Sequence, residues 1–162
     1  MFIPEVSENI NDDLKEIIDE IIYMAKTADE SGESEIQFEF HNPASDDEIA
    51  KCEKELNVKF LDDYKDFIRF SNGSQLCFTE AIFYDMDYVI SINKKGKAED
   101  FPQDYIILAD ITGDGEVLCF SDSTNKFIRY FDGNETIFDT FIDFMKELVS
   151  GIRDSVEEYV DL

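Results

Sequence analysis

Residues 42–73, NPASDDEIAKCEKELNVKFLDDYKDFIRFSNG, hold two amphipathic helices and a stop signal in one short run. Ser45 is placed to cap the first: its hydroxyl accepts from the N–H of Glu48, whose carboxylate reaches back to the N–H of Ser45. Asp46 and Asp47 suit the first turn, where unpaired N–H groups carry partial positive charge, and Lys51 and Lys54 follow further along. Ile49, Cys52 and Leu56 form one apolar stripe. Leu61, Tyr64, Phe67 and Ile68 form a second beyond the Asn57-Val58-Lys59 break, and Asn72-Gly73 offers a left-handed residue to end that helix.

The same residues carry a resemblance to the SUKH superfamily. That family's pattern is a small-residue cap before an acidic amphipathic helix, then Leu-Pro, an acidic-Tyr-x-x-Phe helix and an Asn-Gly ending. Here Pro43-Ala44-Ser45, the helix carrying Ile49 and Leu56, Asp63-Tyr64-Lys65-Asp66-Phe67 and Ser71-Asn72-Gly73 supply it. Phe101-Pro102, Gly113-Asp114-Gly115, Phe127-Ile128-Arg129-Tyr130 and Phe141-Ile142-Asp143-Phe144 follow in the family's order, so the family-like core covers about residues 43–150. Phe60-Leu61 stands where Leu-Pro is usual, so the second helix starts without the proline that fixes a first turn.

Working outward, Ile10, Leu14, Ile17, Ile21, Met24 and Ala28 predict an N-terminal helix over 9–28, capped by Asn9 or Asn11 and read as core packing. Residues 29–35 read as a polar loop, and Ile36, Phe38 and Phe40 alternate as in a strand. His41, the single histidine, is read as a loop residue because no partner for base catalysis stands at useful spacing. Residues 76–92 are rich in aromatic and β-branched side chains and predict one or two strands; Lys94, Lys95 and Lys97 then form a basic loop that offsets local acid repulsion. Three apolar runs at 105–111, 116–121 and 127–131, separated by turn residues, predict an antiparallel meander. Asp132-Gly133-Asn134 then leads into a last helix with Phe141, Phe144, Met145, Leu148 and Val149 on its apolar face; it stops at Gly151 or is extended by Ile152, Val156 and Val160. Helical periods bracketing a block of strand periods predict an α+β fold: one domain over 1–162, a mostly antiparallel sheet of five or six strands, helices on one side.

Acids outnumber bases 39 to 14, a net charge of −25, spread as −14 over residues 1–81 and −11 over the rest. Such a field repels nucleic-acid backbones and anionic lipid, and it speeds encounter with basic proteins; solubility is the plainer use of the same charge. Cys52, Cys77 and Cys119 are widely spaced among apolar residues and read as buried, reduced thiols; with no leader-like or membrane-spanning run, the expected location is the cytosol. Residues 110–121 fail the calcium-loop pattern at Thr112 and Ser121, so Gly113-Asp114-Gly115 is a hairpin turn. No cofactor, metal or catalytic set is expected, since no nucleophile or phosphate loop accompanies acid pairs such as Asp85 and Asp87.

The resemblance implies an immunity protein that neutralises a toxin, often a nuclease, or alternatively a regulatory scaffold for endogenous partners. Charge points the same way, because a nuclease must present a basic cleft. The expected contact surface is Glu80, Phe83, Tyr84, Asp85, Asp87 and Tyr88, together with Asp114 and Glu116; Phe83, Tyr84 and Tyr88 are read either as anchors there or as core. The expected oligomeric state is a monomer or a weak dimer.

Overall fold

The computed structural model describes residues 1–78 and 80–162. Helix α1 (Asp12–Ser31) starts under Asn11, whose side chain accepts from the N–H of Asp13 and Leu14, and ends at Gly32 in the left-handed region. A single 3-10 turn (Ser34–Ile36) precedes β1 (Glu39–Phe40). In α2 (Asp46–Leu56) both halves of the Ser45–Glu48 capping box form, at 3.1 and 2.7 Å, and Asn57 supplies the left-handed cap. Helix α3 (Asp62–Phe70) starts at Leu61 with no side-chain cap, as the missing proline foretells, and ends at an extended Ser71. The Asn-Gly pair does not end it.

Asn72 and Gly73 instead fasten neighbouring segments. Asn72 Oδ1 accepts from the N–H of Met86 at 2.9 Å, and the Asn72 N–H donates to Asn42 O. Gly73 has φ +87°, and a Cβ there would meet Asp85 N at 3.0 Å and Phe83 O at 3.2 Å, so only glycine fits.

Two short strands follow, β2 (Ser74–Leu76) and β3 (Ala81–Phe83), then α4 (Met86–Lys94). That helix corrects the all-strand reading of 76–92. Its β-branched and aromatic residues favour a strand locally, but the Asp85 side chain caps it by accepting from the N–H of Tyr88 at 2.8 Å, and Met86 and Val89 are buried one turn apart. The meander is β4 (Tyr105–Ile111), β5 (Glu116–Ser121) and β6 (Lys126–Phe131). A further strand, β7 (Asn134–Phe138), follows before Thr140 caps α5 (Phe141–Glu157), which runs past Gly151. Among the described residues the sheet is thus antiparallel and seven-stranded, in sequence order β1 to β7, against the five or six strands expected. Residues 134–138 lack apolar alternation because four of the five are exposed, so nothing in their pattern announces a strand.

Register divides the sheet into two faces. On the inner face Ile106, Phe120, Phe127 and Phe138 stand opposite one another across four strands and meet the helices. Tyr64 and Phe67 of α3 and Phe141 of α5 pack edge-on and tilted against Phe83, Phe127 and each other, with ring centroids 4.9 to 6.3 Å apart. Helix α1 lies on α5, tied by Lys146–Asp13 at 3.2 Å and by Arg153–Glu20. Helices α2 and α4 pack together, and α4 continues the sheet's edge where β3 stops: the Asn93 amide accepts from Ile107 N at 2.8 Å and donates to Ile107 O at 2.9 Å, standing in for a strand.

Candidate partner-binding face

The outer face of the sheet carries aromatic rings and acids. A row runs Gln75, Ile82, Asp110, Val117, Tyr130, Glu135 across six strands, and beside it lies Ile107, Cys119, Ile128, Ile137. Tyr84 continues β3 on this face near Asp110; burial first, then that carboxylate, pushes the phenol's pKa well up. Tyr88, on the first turn of α4, stands edge-on to Tyr84 at 4.7 Å and is 45% exposed.

The other end of the face is roofed by residues 95–104. Phe101 packs edge-on against Tyr130 at 4.7 Å and against Tyr105 at 6.4 Å, and the Tyr105 hydroxyl donates to Glu135 at 2.8 Å. Burial, then Glu135, raises the Tyr105 phenol to about 12. Lys97 donates to the carbonyls of Gln103, at 3.1 Å, and Tyr105, so its charge is spent on holding this loop down, and burial lowers its pKa. Lys94, the neighbouring base, is engaged by Glu55. Two of the three lysines are thus engaged, while Lys95 is exposed and makes no ion pair among the described residues. Lys126, at the edge of the face, is held by Asp139 at 2.6 Å.

The residues expected to form one contact surface fall into two groups at opposite ends of β3. Asp85, Asp87 and Tyr88 belong to α4 and its cap, with Tyr84 behind them. Asp87 is exposed and stands 3.5 Å from an exposed Lys51, a pairing of little energetic consequence. Glu80, Asp114 and Glu116 lie at the far end. Glu80 accepts from Ser155 of α5, Asp114 accepts from Thr112 across the β4–β5 turn, and Glu116 is held by Arg129 on the inner side. The hydrogen bond from Thr112 keeps the Asp114 carboxyl below its ordinary range. Phe83 is a correction: at 2% exposure it is core, clasped by Phe67 and Phe141, because the strand's alternation turns it inward when Tyr84 turns outward. Tyr84, at 7% exposure, is buried as well, so of the three rings read as anchors or core only Tyr88 is exposed.

Asp110, Phe101, Tyr105, Tyr130 and Glu135 were not legible as neighbours from the sequence. Their juxtaposition depends on strand register, which no spacing along the chain encodes. The one available signal was parity: within 126–131, Tyr130 shares a face with Ile128 and not with Phe127.

The chain is 34% identical over 71 residues to an uncharacterized protein, YnaB, of Bacillus subtilis (strain 168). That match takes in 44% of this chain and 46% of the relative, so it spans less than half of either. The model of the SMI1 / KNR4 family (SUKH-1) matches residues 43–147, which take in α2, α3, the sheet from β2 to β7 and the start of α5. These are the elements that hold the Ser45 capping box, the Asp63-Tyr64 and Phe67 contacts and the Ser71-Asn72-Gly73 clasp, and the match covers more than half of the chain. The chain belongs to the SMI1 / KNR4 (SUKH-1) family.

Proposed function

We propose that this protein is an intracellular immunity protein that binds a basic toxin, a nuclease domain by preference, and neutralises it by charge and shape alone. The observation that carries this reading is the outer sheet face, where Tyr88, Phe101, Tyr105 and Tyr130 lie, with the buried Tyr84 behind them, among Asp85, Asp87, Asp110 and Glu135, while Lys94, Lys97 and Lys126 are already engaged. A nuclease holds its substrate through lysine and arginine. An acidic, folded surface competes for those groups, and the part-exposed aromatic rings supply desolvated contact area that phosphate lacks. Glu80, Asp114 and Glu116, at the other end of β3, extend the negative field and steer, with less direct contact.

The test is co-expression with the toxic product of the adjacent gene. Rescue of growth, together with a complex that co-purifies at low salt, supports the reading. Failure of rescue and of complex formation contradicts it. Failure of rescue alongside a stable complex with an endogenous protein points to the scaffold role instead.

A further inference from the structure

The two edges of the sheet are built differently. Strand β1 is two residues long, and Phe40 and the adjoining Phe38 are buried. Strand β7 has five residues, of which 134–137 are exposed, and Ile137 reaches 60% exposure. Exposed edges are commonly blunted by proline, lysine or a bulge, and Asn134–Phe138 has none of these.

The turn before β7 shows which backbone groups it leaves free. Asp132 and Gly133 have φ of 46° and 80°, and the pair Phe131–Asn134 closes the loop. Such a two-residue turn makes the closing pair exchange both hydrogen bonds, and pairs then alternate along the hairpin. Arg129–Thr136 and Phe127–Phe138 are therefore bonded pairs, whereas Glu135 and Ile137 aim N–H and C=O away from β6. Among the described residues, no main-chain hydrogen bond from another segment reaches those groups. The side chains of Glu135 and Ile137 lie on the outer face beside Tyr130 and Ile128, continuous with the aromatic and acidic surface.

We infer that β7 receives an extended segment of the basic partner as one further strand, with a lysine or arginine beside Glu135 and an aliphatic residue two positions away beside Ile137. Main-chain bonds supply the docking, and the Glu135–Ile137 alternation sets the register. Exposed Asp132 and Glu135 match a cationic strand, and Lys126, the nearby cation on this face, is held by Asp139. A second copy of this chain is disfavoured because each carries −25. The inference rests on the reading that the partner is a basic protein.

The probe is a synthetic peptide of the repeat Lys-Thr-Val-Thr, which sets lysine and valine two positions apart on one strand face, with oligolysine of equal length for comparison. Amide hydrogen exchange at Glu135 and Ile137 is expected to slow at least about tenfold in the complex with the Lys-Thr-Val-Thr peptide. Ile137→Pro removes one outward N–H without touching the β6–β7 ladder, and is expected to weaken binding at least about tenfold; Ile137→Thr, which keeps that N–H, stays within about threefold. Unchanged exchange at both amides, or equal binding by Ile137→Pro, overturns the edge inference while leaving a basic partner standing. If neither peptide binds, both readings fall.

Discussion

The Asp63 carboxylate in the first turn of α3 accepts from the backbone N–H of Phe141 at 2.9 Å, and so caps the start of α5 across 78 positions of sequence. The same oxygen takes the N–H of Ile142 at 3.3 Å, and the other oxygen takes the N–H of Tyr64 at 2.9 Å. Burial nonetheless dominates and raises the Asp63 pKa. This one side chain fixes the angle between the two helices whose aromatic residues fill the inner face.

Asp63→Ala is accordingly expected to cost about 2 kcal/mol in urea titration, and Asp63→Asn, which retains an acceptor, about half of that. The sign of the pH effect follows from the raised pKa. Between the ordinary and the raised value the folded state binds more proton than the unfolded state, so this group's contribution to stability falls as pH rises through that window. The Asn variant has no such proton, and the difference between its acid titration and the parent's isolates it.

Tyr64 behaves otherwise. It is fully buried among Phe60, Phe127 and Phe141, and among the described residues its hydroxyl has no hydrogen-bond partner. Tyr64→Phe keeps the ring contacts and removes an unpaired polar atom, so it is expected to be neutral or to stabilise by about 1 kcal/mol. A loss of stability on calorimetry would show that the hydroxyl is satisfied.

Ser45→Ala deletes half of the capping box and is expected to cost about 1 kcal/mol in the same urea titrations, while leaving affinity for a basic partner unchanged.

The thiols give an alkaline signature. Burial pushes Cys52 and Cys119 up to about 12 and Cys77 to about 11, from an ordinary 9.0. Their contribution to stability is present in full below pH 9 and is lost as pH rises through 11 to 12, because the unfolded chain ionises first. At pH 8 a thiol reagent is expected to label the native protein only as fast as it opens, and to label all three cysteines at once in denaturant. Fast labelling of any one in the native state would place that thiol at the surface.

How much of this was legible follows residue by residue. The Ser45–Glu48 box, the meander and its turns, and α5 were readable because each is a local pattern that burial or capping enforces. Helix α4 and strand β7 were not. In α4 the local preference is for a strand, and packing against α2 together with the Asn93 clasp on Ile107 overrides it. In β7 one face is open to water, and a strand with little to bury has no pattern to show. Asp63 was readable as a helix-starting acid, but its long-range capping of α5 was not, since the partner N–H groups belong to a distant segment. The proposed contact surface was half legible for the same reason: Tyr84 to Tyr88 is contiguous in sequence, whereas Asp110, Tyr130 and Glu135 lie beside it only through register.

The most direct test of the binding face is the association rate with the toxin at two ionic strengths, for the parent and for Asp87→Asn combined with Asp110→Asn and Glu135→Gln. With the Debye length about 30 Å at 0.01 M and about 8 Å at 0.15 M, the parent is expected to associate at least about tenfold faster at low salt. The triple variant should lose most of that salt dependence while its dissociation rate changes little, and Tyr88→Ala should instead speed dissociation. Circular dichroism confirms that each is folded. An association rate indifferent to salt, with the triple variant binding as the parent does, would contradict the account and leave the charge as a device for solubility alone.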